Sequence, residues 1–153
     1  MKLLHGVAAA FAATSLLAAV PAQAGEMSKA EKLRRLDIML MVTGLRCRTT
    51  SDNFQVDYRR FTTNHIGELN QSARALRAEL AGRYGAGADR ALDRLSVTMA
   101  NRYGQGHPWL SCKELKMVAR NLAEVRGEAP LVAAADQLLE SGGTSTLAYA
   151  RRR

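Results

Sequence analysis

From Ser28 onward apolar residues recur every three or four positions with polar residues between them, the period of α-helices buried along one face. The first helix is predicted to begin at Ser28-Lys29-Ala30-Glu31, which has capping-box spacing: the Ser28 hydroxyl accepts from the backbone and Glu31 reaches back. Its stripe runs Leu33, Leu36, Leu40 and Cys47, widened by Ile38, Met39, Met41 and Val42 enough for deep burial. Ser51 or Asp52 can cap a second helix with the stripe Phe54, Tyr58, Phe61, His65, Leu69, Ala73, Leu76, Leu80 and Tyr84. That stripe predicts a single rod of about 45 Å, with Gly67 as a place for a bend.

Gly85-Ala86-Gly87 breaks the pattern, and a third helix follows with Ala88, Ala91, Leu92, Leu95, Met99 and Tyr103 on one side, ending near Gly104. After the loop Gln105-Gly106-His107-Pro108-Trp109 comes a second capping box, Ser111-Cys112-Lys113-Glu114, flanked by Leu110 and Leu115 as a hydrophobic staple. The fourth helix carries Leu115, Val118, Ala119, Leu122 and Val125. Pro130 suits the first turn of a fifth, with Leu131, Val132, Ala135, Leu138 and Leu139 as its apolar side and Gly142 able to end it. No stretch alternates with period two between hairpin turns, so the expected fold is all-α: a compact bundle of about five helices over residues 25–143.

The N-terminus changes the picture of where the chain works. Met1-Lys2 precedes an apolar run from Leu3 to Val20, and Pro21-Ala22-Gln23-Ala24 puts small residues at the first and third positions before a cut after Ala24. Residues 1–24 therefore read as a cleaved secretory signal peptide, and no later stretch approaches the length of a membrane span. The expected location is periplasmic or secreted. Residues 25–153 carry a net charge of +7, one less than the +8 of the whole chain because Lys2 leaves with the leader. Residues 144–153 show no core pattern and end in Arg151-Arg152-Arg153, a basic tail expected to be mobile.

An oxidising compartment is expected to pair the two cysteines, Cys47 and Cys112, in one disulfide. Closing a loop of that length stabilises a fold by ~4 kcal/mol on the chain-entropy model. Their spacing is not that of a Cys-x-x-Cys redox pair.

Most catalytic and cofactor classes find no support. His65-Ile66-Gly67-Glu68 reverses the Glu-x-x-His order of carboxylate-bridged bundle sites, so His65 reads as a core-edge histidine bonded to a neighbour. The methionines are dispersed, no Cys-x-x-Cys-His occurs, and neither a Gly-x-Ser-x-Gly elbow nor a His-Glu-x-x-His helix is present. Gly85-Ala86-Gly87-Ala88-Asp89-Arg90 lacks the third glycine of a dinucleotide fingerprint and follows a helix instead of a strand. No metal and no cofactor is expected. Asp37, beside the first stripe, is expected to face an Arg from a neighbouring helix. The Lys and Arg residues alternate with acids around the helices, and with export this argues against a nucleic-acid partner.

One constellation remains. A Cys47–Cys112 bridge carries Arg46 and Arg48 to the first turn of the fourth helix, beside Lys113, Lys116 and the positive end of the helix dipole. The loop with Tyr103, Gln105, His107 and Trp109 immediately precedes it. The expected function is a non-enzymatic binding or interaction module with this basic end turned to an acidic envelope component, a protein or a small anion. The alternative is a small envelope enzyme using His107. Against both stands a structural reading, in which Trp109 plugs the end of the core and Ser111 satisfies the helix terminus.

The segments Leu33-Arg34-Arg35-Leu36-Asp37-Ile38-Met39-Leu40-Met41-Val42, Leu45-Arg46-Cys47-Arg48 and Met99-Ala100-Asn101-Arg102-Tyr103-Gly104-Gln105-Gly106-His107-Pro108-Trp109-Leu110 resemble a group of small exported two-cysteine helical proteins of α-proteobacteria. Members of that group have no established activity, and some carry the label S-adenosyl-L-homocysteine hydrolase. The enzyme of that name is a much longer cytosolic protein built on a nicotinamide-binding α/β domain, and no fingerprint or strand of that kind occurs in this sequence. The resemblance therefore implies no catalytic residues.

Overall fold

The computed structural model describes residues 27–139, and within them the chain forms six α-helices and no strand. They are α1 (Lys29–Cys47), α2 (Gln55–Asn64), α3 (Ile66–Tyr84), α4 (Ala88–Tyr103), α5 (Cys112–Glu124) and α6 (Glu128–Leu139), with one 3-10 turn (Gly85–Gly87) joining α3 to α4. The leader, Gly142 and the basic tail lie outside the described residues.

Helix α1 is the axis of the bundle and packs against each of the other five. Its sequence demands that position. Ile38, Met39 and Leu40 are consecutive and all buried, and at 100° per residue they cover most of the circumference, which only a surrounded helix can hide. Thr43, also fully buried, donates its hydroxyl to the Met39 carbonyl at 2.7 Å and so brings no unpaired polar group into the core. Gly44 lets the Phe54 ring close on the helix, since a Cβ there would stand 3.3 Å from Phe54 Cε2.

The main core joins α1 to α2, α4, α5 and α6 through Leu33, Leu36, Phe54, Phe61, Leu115 and Leu131, each fully or almost fully enclosed. Truncating such a leucine to alanine costs ~2–5 kcal/mol in packed interiors. A smaller cluster of Ala30, Leu76, Leu80, Ala88 and Ala91 holds the α3–α4 hairpin against the start of α1.

The structure corrects the sequence reading at four points. The expected rod over residues 54–84 is two helices, and the break falls at His65, not at Gly67. His65 leaves helical geometry at φ −115°, ψ 20° while its Nε2 donates to the Leu122 carbonyl on α5 at 2.7 Å. A tertiary bond thus sets the break. Beyond it the buried position is Ser72, and Ala73 and Tyr84 are exposed.

Caps differ as well. Glu31 N–H donates to Ser28 Oγ at 3.1 Å, but the Glu31 carboxylate takes Arg35 Nε at 2.8 Å, so only half of the expected first box forms. Helix α2 is started by neither Ser51 nor Asp52: Asn53 Oδ1 accepts from Gln55 N–H at 3.0 Å. Asp37 is indeed bonded at the bundle edge, yet its Arg is Arg34 of the same helix at 3.6 Å, and the neighbouring helix supplies the Tyr58 hydroxyl at 2.9 Å.

Candidate functional site

The last residue of α1 and the first of α5 are covalently joined: Cys47 and Cys112 form a disulfide with their Cα atoms 5.7 Å apart. The chain leaving α1 is pinned by its own polar groups. Thr50 donates to the Cys47 carbonyl through both its N–H at 3.0 Å and its hydroxyl at 2.8 Å, and the Asn53 amide donates to the Arg48 carbonyl at 2.9 Å. The Cys47 and Arg48 carbonyls are therefore taken by neighbouring polar groups and not by basic side chains. Arg46 and Arg48 stay exposed, and neither makes an ion pair among the described residues.

Between them lies a depression of about 360 Å³, open to solvent, lined by Val42, Leu45, Arg46, Arg48, Thr49 and Gly104. Its lining is mixed, with Arg46, Arg48 and Thr49 as polar members and Val42 and Leu45 as apolar ones. The lining crosses from α1 to the end of α4, where Gly104 is required by crowding: a Cβ there would stand 2.9 Å from the Ala100 carbonyl oxygen.

The loop after α4 turns at Gly106, whose φ of 116° favours glycine and whose N–H donates to the Tyr103 carbonyl at 2.9 Å. His107 is then folded inward, only 9% exposed. Its ring stacks on Tyr103 with centroids 5.4 Å apart, and it lies edge-on to Trp109 at 4.5 Å. Nε2 is 3.0 Å from the Leu138 carbonyl, which can only accept, so Nε2 carries the proton. Nδ1 faces the Trp109 N–H at 3.5 Å. Burial lowers the His107 pKa, against the Leu138 hydrogen bond, which raises it; Arg102 lowers it further and Glu114 opposes. The loop that the imidazole anchors thus disfavours its charged form. Trp109 itself is 44% exposed, and the Tyr103 hydroxyl is enclosed without a hydrogen-bond partner among the described residues. Burial raises the Tyr103 pKa.

The start of α5 already has its anion. The second capping box is complete: Ser111 Oγ accepts from Glu114 N–H at 3.4 Å, and Glu114 Oε2 accepts from Ser111 N–H at 2.8 Å. These bonds, the backbone one foremost, hold the Glu114 carboxyl below its ordinary pKa. Lys113 is exposed beside it and does not line the depression.

The residues singled out in the sequence thus fall into two groups. Arg46 and Arg48 meet at the depression; Tyr103, His107 and Trp109 form a stacked plug tied to α6. Gln105 is exposed between them, and Lys113 belongs to neither. Sequence reasoning missed Val42, Leu45, Thr49 and Gly104 as lining. Their only signal was an apolar pair three residues apart next to Arg46, which is also how a core stripe looks.

Asp37 accepts from Tyr58, and desolvation raises its pKa against the lowering effects of that bond and of Arg34. Burial, and then Asp37, raises the Tyr58 pKa. His65 Nδ1 stands 3.9 Å from Glu68 Oε1 and has no hydrogen-bond partner among the described residues. No group of three or more His, Cys, Asp or Glu side chains among the described residues is placed to hold a metal ion. Comparison with protein-family models, with curated proteins and with solved structures finds no match to this chain.

Proposed function

We propose that the protein is an exported, non-enzymatic binding module that presents its disulfide-clamped basic end to an acidic partner or ligand. The observation that carries this reading is the pair Arg46 and Arg48: two exposed guanidinium groups without counter-ions, on a pinned backbone, bordering an open depression. Neither guanidinium is committed to a carboxylate among the described residues, although Arg46 sits in the last turn of α1, where its charge suits the helix dipole. Export is supported by the leader-like N-terminus and by a disulfide of the kind that oxidising compartments preserve. No helix of the described residues is long and apolar enough to cross a membrane.

The non-enzymatic half of the proposal rests on His107. Both ring nitrogens are engaged inside the chain, and the ring does not line the depression. A general acid or base needs a nitrogen within reach of a substrate.

The test is photo-crosslinking in the living cell from a benzophenone side chain at Thr49, compared with one at the exposed Ala78 of α3. Adducts from Thr49 that are absent from Ala78 and that fade in Arg46→Gln/Arg48→Gln are the expected result. Equal adducts from both positions, or none from Thr49, overturn it. The mass of the recovered protein, residues 25–153 less two hydrogens, checks leader removal and the disulfide together.

A further inference from the structure

The depression is too open to be a small-molecule pocket. Such sites enclose ~70–90% of the ligand surface, whereas this one is a basin exposed along one side and bordered by chain termini of α1 and α4. Exposed apolar surface also runs from its edge along α1. Leu45, 47% exposed, is part of the lining, and Met41, 40% exposed, stands one turn earlier on the same side of α1. A basin with a paired positive rim and an apolar margin running out along a helix fits a side chain that projects from a larger chain lying across it.

We infer that the basin docks an acidic segment of another polypeptide, with Asp or Glu carboxylates on Arg46 and Arg48 and a neighbouring apolar side chain on Val42 and Leu45. The inference rests on the binding-module reading and names its partner class. Charge decides the sign of the occupant: the two guanidinium groups have no carboxylate of their own among the described residues, while nearby Glu114 is consumed by Ser111. Arginine also offers a planar fork that takes a carboxylate through two parallel hydrogen bonds, which a lysine rim could not. The apolar margin decides the neighbour. A bare polyanion would leave Leu45 and Met41 uncovered, whereas a leucine beside the acid removes apolar area from water at ~25 cal/mol per Å². These hydrogen bonds fix the backbone of residues 47–53 before the partner arrives, so docking orders the two Arg side chains and not the loop.

The experiment uses the purified full chain and a dye-labelled Gly/Ser-rich peptide with a central Leu-Glu-Glu-Leu, read by fluorescence anisotropy at low and moderate salt. The expected result is weak, salt-sensitive binding that falls about three- to tenfold in Arg46→Gln/Arg48→Gln, the size of two exposed ion pairs. Arg90→Gln/Arg94→Gln removes the same charge from α4, far along the hairpin, and is expected to bind as the wild type does. Replacing Glu by Gln in the peptide removes the same ion pairs from the other side and is expected to weaken binding by a similar factor, and replacing Leu by Ser weakens it, as does Leu45→Ser in the protein. Equal losses in the two double Arg variants would reduce the effect to net charge and overturn the inference. So would a peptide indifferent to Leu→Ser. Glutarate binding as tightly as the peptide, with amide shifts at Thr49 and Gly104, would make the basin a small-anion site, ending this inference while leaving the binding-module reading intact.

Discussion

His107 Nε2 donates to the carbonyl oxygen of Leu138 across 3.0 Å, fastening the loop between α4 and α5 to the last turn of α6. His107→Ala loses that bond and the Tyr103 stack, and is expected to lower unfolding free energy by ~2 kcal/mol in urea titration.

The same residue sets a pH dependence. Because the folded pKa lies below the ordinary 6.5, the unfolded chain binds more protons between the two values. Its stabilising contribution is complete above 6.5 and is lost as pH falls toward the folded value. The thermal midpoint should therefore drop more in wild type than in His107→Gln as buffer pH is taken from 7 to about 5. Identical profiles would show that the ring does not titrate in this window.

Asp37 behaves in the opposite sense. Its pKa is raised above 3.8 by burial, so the folded state holds the proton more tightly and stability falls as pH rises through the folded value. Asp37→Asn keeps an acceptor for Tyr58 and removes a partly buried charge, so its cost should stay below ~1 kcal/mol at neutral pH. Tyr58→Phe forfeits the 2.9 Å bond and should cost ~1 kcal/mol, with most of that cost absent on an Asp37→Ala background.

Cutting the bridge in Cys47→Ser/Cys112→Ser frees a loop with a sequence separation of 65 residues and should reduce stability by ~4 kcal/mol. Calorimetry with and without reductant measures it. Peptide binding at the basin should weaken in the same variant, since the α1 end is no longer tied to α5.

Ser111→Ala opens the capping box and should cost ~1 kcal/mol, while Ser111→Thr should recover most of it. Since Ser111 depresses the Glu114 pKa, the contribution of Glu114 is present above 4.5 and is lost as acid carries pH through the folded value. The Ser111 backbone N–H still donates to Glu114 in Ser111→Ala, so acid titration of wild type and variant should show the larger part of that loss in both.

What the sequence determined alone is local. Ser111 and Glu114 are three residues apart and need only each other, so the box was legible; the stripe Ala88, Ala91, Met99 and Tyr103 needed only helical period. Two cysteines in a chain with a leader-like start allowed a single intramolecular pairing, and the pairing fixed which ends meet. Ile38, Met39, Met41 and Val42 widened the first stripe enough to predict deep burial of α1.

What only the tertiary structure decided depends on backbone groups and open surface, which leave no residue pattern. The break at His65 comes from the Leu122 carbonyl, and the fixing of His107 comes from the Leu138 carbonyl; every residue has a carbonyl, so neither partner could be read from the chain. Asn53, not Ser51 or Asp52, starts α2 because the Cys47 and Arg48 carbonyls set the turn first. Met41, Val42 and Leu45 carry the apolar signature of a core stripe, yet the neighbours of α1 leave Met41 and Leu45 exposed at that end, and Val42 and Leu45 line the basin beside Arg46 and Arg48.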